Sequence, residues 1–120
     1  MCKTTLLIGA SLNPERASYH TIQKLVDLDI PVRAIGAKSG IHRGVIIERN
    51  IILSKIFHTV TLYVNPTIQS QYYNYILDLK PKRVLFNPGA ENPEFQEILE
   101  KNYIEVENAC TLVLLSTNQY

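Results

Sequence analysis

Short apolar runs alternate with amphipathic stretches along the whole chain, and the alternation predicts strands and helices in turn. Apolar or β-branched runs at residues 4–8, 32–35, 45–47, 59–64, 83–86 and 104–106 predict strands. Between them, residues 18–28 place Tyr19, Ile22 and Val26, flanked by Leu25, on one side of a helix, with Ser18 as its N-cap. The sequence Asp29-Ile30-Pro31 ends that helix, because a residue before proline avoids the helical region. Residues 67–79 carry Ile68, Tyr72, Tyr75, Ile76 and Leu79 at helical spacing, and Lys80-Pro81 stops them. Residues 93–102 predict a helix with Phe95, Ile98 and Leu99 inward. Residues 36–44 read as a loop with three glycines, 50–57 as ambiguous between loop and short helix, and 111–116 as helix or strand. Alternation of this kind defines an α/β protein: a Rossmann-like three-layer α/β/α sandwich around a mostly parallel sheet of five or six strands.

The junction of the first strand and first helix is the most informative stretch. The run Thr5-Leu6-Leu7-Ile8 breaks at Gly9, and a polar loop leads to the helix. Exposed backbone N–H groups and a helix N-terminus at such a junction offer partial positive charge to phosphate. Of the fingerprint G-x-G-x-x-G, Gly9 fits the first position, Ser11 stands at the second and Pro14 at the third. The loop also holds Ala10, Asn13, Arg16 and Ser18. The Ser11 hydroxyl can donate to phosphate, and the Arg16 guanidinium can bind it bidentately. The bland alternatives are a simple strand-ending turn at Gly9 and a solvated charge at Arg16. An NAD site expects a carboxylate at the end of the second strand. Here that segment reads Ile35-Gly36-Ala37-Lys38, which suits a ribose phosphate, as in NADP or coenzyme A, unless Lys38 is only an exposed loop lysine.

Asn-Pro recurs at Asn13-Pro14, Asn65-Pro66, Asn87-Pro88 and Asn92-Pro93, and three of these follow strands directly. Asparagine caps helices, and proline fits the first helical position because its missing N–H has no partner there. The carboxyl edge of the sheet is therefore expected to turn sharply and form a cleft, or simply to use good turn chemistry.

Composition narrows the function. With 120 residues the chain is expected to form one domain spanning 1–120, and a net charge of +1 gives no footprint for nucleic acid or an anionic membrane. No apolar run reaches the ~20 residues a membrane span needs, and the N-terminus lacks the features of a signal peptide, so a cytoplasmic protein is expected. Cys2 and Cys110 make no disulfide framework; Cys2 reads as incidental, Cys110 as a small buried residue or a thiol at the cleft mouth. His20, His42 and His58 share no metal-ligand spacing and read as packing or surface residues, although His20 and His42 lie near the loops. Glu91 is a lone carboxylate at the binding edge, fitting either a ligand-orienting or basic group or a favourable charge near a helix start. No nucleophile elbow, Walker loop or Cys/His pair appears. Tyr72, Tyr73 and Tyr75 fit either a homodimer face or packing on the sheet.

The segment Ile8-Gly9-Ala10-Ser11-Leu12-Asn13-Pro14-Glu15-Arg16-Ala17-Ser18-Tyr19 resembles the first loop of the stand-alone coenzyme A-binding domain proteins, which are similar to the nucleotide-binding domain of the succinyl-CoA synthetase α subunit. Phe86-Asn87-Pro88-Gly89 and Ala109-Cys110-Thr111-Leu112 extend the likeness over nearly the whole chain. The resemblance implies a Rossmann-type fold that binds coenzyme A or an acyl-CoA. It implies that Gly9, Ala10 and Ser11 approach the pyrophosphate and that Arg16 and Ser18 hold its oxygens. It places Gly36 and Lys38 against the adenosine ribose, Asn65 and Pro66 near the ligand's middle, and Asn87 and Gly89 at the same edge. Many relatives end the second strand with Asn-Pro, where this chain has Gly36-Ala37-Lys38. Catalysis is not implied, because the synthetases need a phosphorylatable histidine on a further domain. A small acyl-CoA-using enzyme with Glu91 or Cys110 in its site, or an NADP-binding module, is the alternative.

Overall fold

The structure, a computed structural model, describes residues 3–120, so Cys2 lies outside the described residues. Seven strands form one sheet: β1 (Thr5–Ala10), β2 (Val32–Gly36), β3 (Gly40–His42), β4 (Val45–Glu48), β5 (Thr59–Leu62), β6 (Arg83–Phe86) and β7 (Glu105–Asn108). Their spatial order is β3-β4-β2-β1-β5-β6-β7, and every pairing is parallel except the β3–β4 hairpin. This is the Rossmann-like α/β arrangement the alternation predicts, with more strands than the five or six expected. The extra strand is β3, three residues from the glycine-rich loop that pair Ile41 with Ile46 across the hairpin. Such a segment has no apolar alternation of its own and is ordered by its partner.

Helices α1 (Ala17–Asp27) and α5 (Thr111–Ser116) pack together on one face. The other face carries α2 (Pro66–Gln69), α3 (Tyr73–Leu79) and α4 (Pro93–Lys101). Period-two alternation in β1 divides its side chains between the faces. Leu6 and Ile8 join Val60, Leu62, Ile76, Phe86, Phe95 and Leu99 in the larger cluster, while Leu7 and Ala10 join Ile22, Ala34 and Ile47 in the smaller. β5 and β6 are buried along their whole length, as parallel strands covered on both faces must be.

Two local readings are corrected and one left open is decided. The first helix is capped by Arg16 rather than Ser18, and its buried stripe is Ser18, Thr21, Ile22 and Leu25, so two hydroxyls sit where only apolar groups were read. The stretch 67–79 is not continuous: a 3₁₀ turn at Ser70–Tyr72 separates α2 from α3 and rotates Ile68 outward to 39% exposure, while Gln69 becomes fully buried. Residues 50–57 form no helix; they cross from β4 to β5 as irregular chain, with a tight turn where the Ser54 N–H donates to the Ile52 carbonyl (3.0 Å), pinned by Ile52 and Phe57 in the core. Tyr75 clips this crossover by donating from its hydroxyl to the Ile52 carbonyl (2.8 Å) and accepting from the Ile52 N–H (3.0 Å). All three tyrosines pack against the larger cluster, Tyr73 stacking on Phe95 at 4.1 Å.

Candidate functional site

The chain builds outward from β1 through β2 and β4 on one side, then from β5 through β6 and β7 on the other. The loops leaving the carboxyl ends of β1 and β5 therefore diverge, and in open α/β sheets ligands bind in that crevice. Segments 11–16, 37–39, 63–65, 87–92 and 109–110 lie at this edge. These segments, with the strand and helix ends they join, carry Gly9, Ala10, Ser11, Asn13, Arg16, Ser18, Gly36, Lys38, Asn65, Pro66, Asn87, Gly89, Glu91 and Cys110, the residues singled out from the sequence.

Gly9 sets the geometry of the first loop. Its φ of +105° lies in a region open to glycine, and a Cβ there would stand 2.9 Å from both the carbonyl carbon and the Cβ of Tyr63. The β1–β2 register shifts at this residue, between Ile8 and Ala10, so β1 carries a bulge just as it meets the loop. Gly36 is equally confined: a Cβ would lie 2.5 Å from the Ala10 carbonyl oxygen. The exits of β1 and β2 are thus pressed together, backbone against backbone.

The loop braces itself. Ser11 Oγ accepts from the Asn13 N–H (3.0 Å), and Asn13 Oδ1 accepts from the Glu15 N–H (3.0 Å). The Asn13 carbonyl accepts from the Arg16 N–H at 3.0 Å, and His20 Nε2 donates to the Pro14 carbonyl at 2.7 Å. These bonds hold the segment in one shape up to the start of α1. There Arg16 is extended (φ −90°, ψ 139°), no side chain caps the helix, and no acidic residue stands in its first turn. The helices at the neighbouring loops differ: Asn65 Oδ1 accepts from the Ile68 N–H and Asn92 Oδ1 from the Phe95 N–H. The start of α1 keeps its N–H groups and its share of the helix dipole without a side-chain acceptor. Arg16 and Lys38 are exposed, and neither joins an ion pair among the described residues.

Beneath the loop lies a layer of polar side chains. Ser18 is buried in the first turn of α1. Tyr63, immediately after β5, donates its hydroxyl to Thr21 Oγ1 (2.5 Å), which in turn donates to the Ala17 carbonyl (3.1 Å). Burial pushes the Tyr63 hydroxyl pKa up to about 12, with Thr21 partly opposing the shift. Asn87 is also buried; Nδ2 donates to Thr61 Oγ1 (2.7 Å) and the Leu62 carbonyl (2.9 Å), and Oδ1 accepts from the Thr111 N–H (2.8 Å). All of its amide chemistry serves the protein, and it docks the start of α5 onto the sheet. Gly89 is exposed with φ +93°, and its N–H donates to Glu91 Oε1 at 2.8 Å. The Glu91 carboxylate thus closes its own turn. Cys110 is half-buried, directly before α5. His42 is buried, stacked on Tyr19 at 3.8 Å with Nε2 donating to the Tyr19 carbonyl, and so fixes the hairpin to α1.

Sequence reasoning passed over Gln69 and read Asn92 only as a capping asparagine before proline. Gln69 Nε2 donates to the Val64 and Ala90 carbonyls, both at 2.7 Å, and its Oε1 accepts from Asn92 Nδ2 at 2.9 Å. The pair ties the loop after β5 to the loop after β6. The signal was present: Gln69 precedes Tyr73 by four and Ile76 by seven, which puts a polar amide on an apolar helical stripe.

The sheet order and helical layers place the chain in the Rossmann-like class of α/β proteins. The chain belongs to the coenzyme A (CoA) binding domain family, whose sequence pattern matches residues 3–116. A solved structure described only as an uncharacterized protein is 42% identical, with a TM-score of 0.95 over 100% of this chain and 99% of that one. A Thermus thermophilus protein shares the fold at TM-score 0.85 and 20% identity over 99% of this chain and 91% of its own. A hypothetical protein from Pyrococcus horikoshii does so at TM-score 0.86 and 22% identity, covering 97% and 83%. No curated protein is similar enough to count as a match. No helix among the described residues is long and apolar enough to cross a membrane.

Proposed function

We propose that residues 1–120 act as one cytoplasmic coenzyme A-binding module that holds CoA or an acyl-CoA across the carboxyl edge of the sheet, without catalysis of its own. One observation carries this reading: a self-braced loop delivers the start of α1 with no side-chain cap and no acidic residue in its first turn, beside an Arg16 that joins no ion pair among the described residues. A diphosphate complements that arrangement, because it supplies the acceptors the helix start lacks. In this reading the backbone at Gly9, Ala10 and Ser11 lines the pyrophosphate, and Arg16 closes on it from the helix side. Asn13 and the buried Ser18 hold the loop in shape around the pyrophosphate. Gly36 allows the close approach of β1 and β2, and Lys38 faces the phosphate on the ribose. Asn65 and Pro66 bound the pantetheine path, and Asn87 and Gly89 shape its far side.

Calorimetric titration with CoA, dephospho-CoA, NADP and NAD tests the reading. CoA is expected to bind, and dephospho-CoA to bind several-fold more weakly. Tighter binding of NADP than of CoA would replace the ligand. Turnover of an acyl-CoA that disappears in Glu91→Gln or Cys110→Ser would replace the module by an enzyme.

A further inference from the structure

The opposite edge of the sheet holds a second group of cations that the CoA reading leaves unused. Arg83 opens β6 and is 8% exposed. Its Nε donates to Thr59 Oγ1 at 2.8 Å, but Nη2 is buried with no hydrogen-bond partner among the described residues. Nor does the guanidinium belong to any of the three ion pairs found among the described residues. Buried charges are ordinarily paired, and a buried donor left without an acceptor is destabilising. The surroundings are cationic: Lys3, Lys82 and Arg83 all act on His58, with Glu105 the opposing carboxylate.

An aromatic ring lies over the Arg83 guanidinium. Tyr120 lies with its centroid 4.4 Å from the Arg83 guanidinium carbon and 5.9 Å from Lys3 Nζ. Its hydroxyl donates to Thr5 Oγ1, and its main-chain oxygen accepts from Lys3 Nζ at 2.5 Å. Tyr120 and Lys3 also line a surface groove of about 460 Å³ with Leu28, Asp29, Ile30, Leu115 and Asn118. Asp29 is the acidic group of that lining. Tyr120 therefore borders both the groove and the guanidinium, held there by its bonds to Thr5 and Lys3 and by the cations against its ring.

We propose that this amino edge is a second binding site, for a small oxyanion, in which Arg83 and Lys3 take phosphate or carboxylate oxygens once the Tyr120 ring swings aside. An oxygen at Arg83 Nη2 supplies the missing acceptor and the missing counter-charge together. The reading is independent of CoA binding, because it uses the other end of every strand.

Inorganic phosphate and acetate are the probes, titrated separately into the whole protein at constant ionic strength set with chloride. The Arg83 Nε–H signal and the Tyr120 ring signals are followed by NMR. Saturable shifts at both residues are expected in at least one arm, and the tighter arm identifies the oxyanion class. Tyr120→Ala removes the cover and is expected to tighten that binding by roughly tenfold, the gain for a site otherwise open about a tenth of the time. Arg83→Met is expected to abolish it while a thermal melt reports the fold. If Arg83→Met does not fold, the comparison of Tyr120→Ala with the parent still decides. An Arg83 signal that moves in neither arm, even in Tyr120→Ala, overturns the proposal. So does phosphate that shifts only the Gly9 and Arg16 amides.

Discussion

Two glycines at the ligand edge share a backbone conformation and differ in the space around them, which separates two physical costs. Gly9 has φ +105° and Gly89 has φ +93°. An alanine at either position adopts a conformation that L side chains resist, at about 1–2 kcal/mol. At Gly89 nothing stands within 4 Å of the added methyl, so that cost is the whole effect. At Gly9 the methyl meets the backbone and Cβ of Tyr63 at 2.9 Å and Val64 Cγ1 at 3.1 Å. Backbone yields poorly, so overpacking adds about 1–3 kcal/mol. With roughly 4 °C lost per kcal/mol for a chain of this size, Gly89→Ala is expected to lower Tm by about 4–8 °C and Gly9→Ala by about 8–20 °C. Paired thermal melts followed by circular dichroism measure both. Calorimetry on the same samples should show CoA affinity falling in Gly9→Ala, because the bulge that aims the loop is displaced. Equal Tm losses at the two positions would refute the claim that Gly9 is required by crowding as well as by conformation.

Lys38→Ala is expected to weaken CoA by about fivefold, the scale of one exposed ion pair, and to leave dephospho-CoA unchanged; calorimetry checks it. Asn87→Ala strips the buried Thr111 N–H, Thr61 and Leu62 of a shared partner, and about 2–4 kcal/mol of stability is expected to go, read from urea midpoints at constant slope. His58 has its pKa lowered, first by burial and then by the charges of Arg83, Lys3 and Lys82. Its folded state therefore holds fewer protons than the unfolded chain, so its contribution is present above the ordinary value of 6.5 and is lost as pH falls through the lower folded value. Urea midpoints taken from pH 7.5 down to pH 5 should fall less in His58→Gln than in the parent, and identical curves would remove His58 from the balance.

How far the sequence could be read depended on whether the signal was local. The long apolar runs at β1, β5 and β6 are buried by any parallel sheet, and their order along the chain was legible from periodicity. Asn65 and Asn92 both cap helices with proline at the first turn, as their chemistry dictates. The same dipeptide misleads elsewhere. Asn13 shapes the loop, and α1 begins at Ala17; Asn87 docks α5, far along the chain, instead of the residues that follow it. A buried asparagine with a distant partner leaves no trace in its neighbours. Likewise β3 exists because β4 pairs with it, and the turn at Ser70–Tyr72 arises where Gln69 must face the two carbonyls it serves. The residues of the first loop were legible as a group; the polar layer beneath them, Tyr63 with Thr21, was not, since the two are 42 positions apart.

The irregular crossover between β4 and β5 sets where this architecture tolerates change. A helix there would have to keep its turns in phase with the sheet, so that adding one residue rotates its whole inner stripe by about 100°. The segment 50–57 has no such phase to keep. Ile52 and Phe57 are its anchors, while Leu53 between them is 91% exposed. Extra residues at Leu53 lengthen a loop at a cost that grows only logarithmically, about 0.6 kcal/mol per doubling. A tag or a whole guest domain can therefore be spliced into the outer side of this segment while the strands on either side of it keep their alignment.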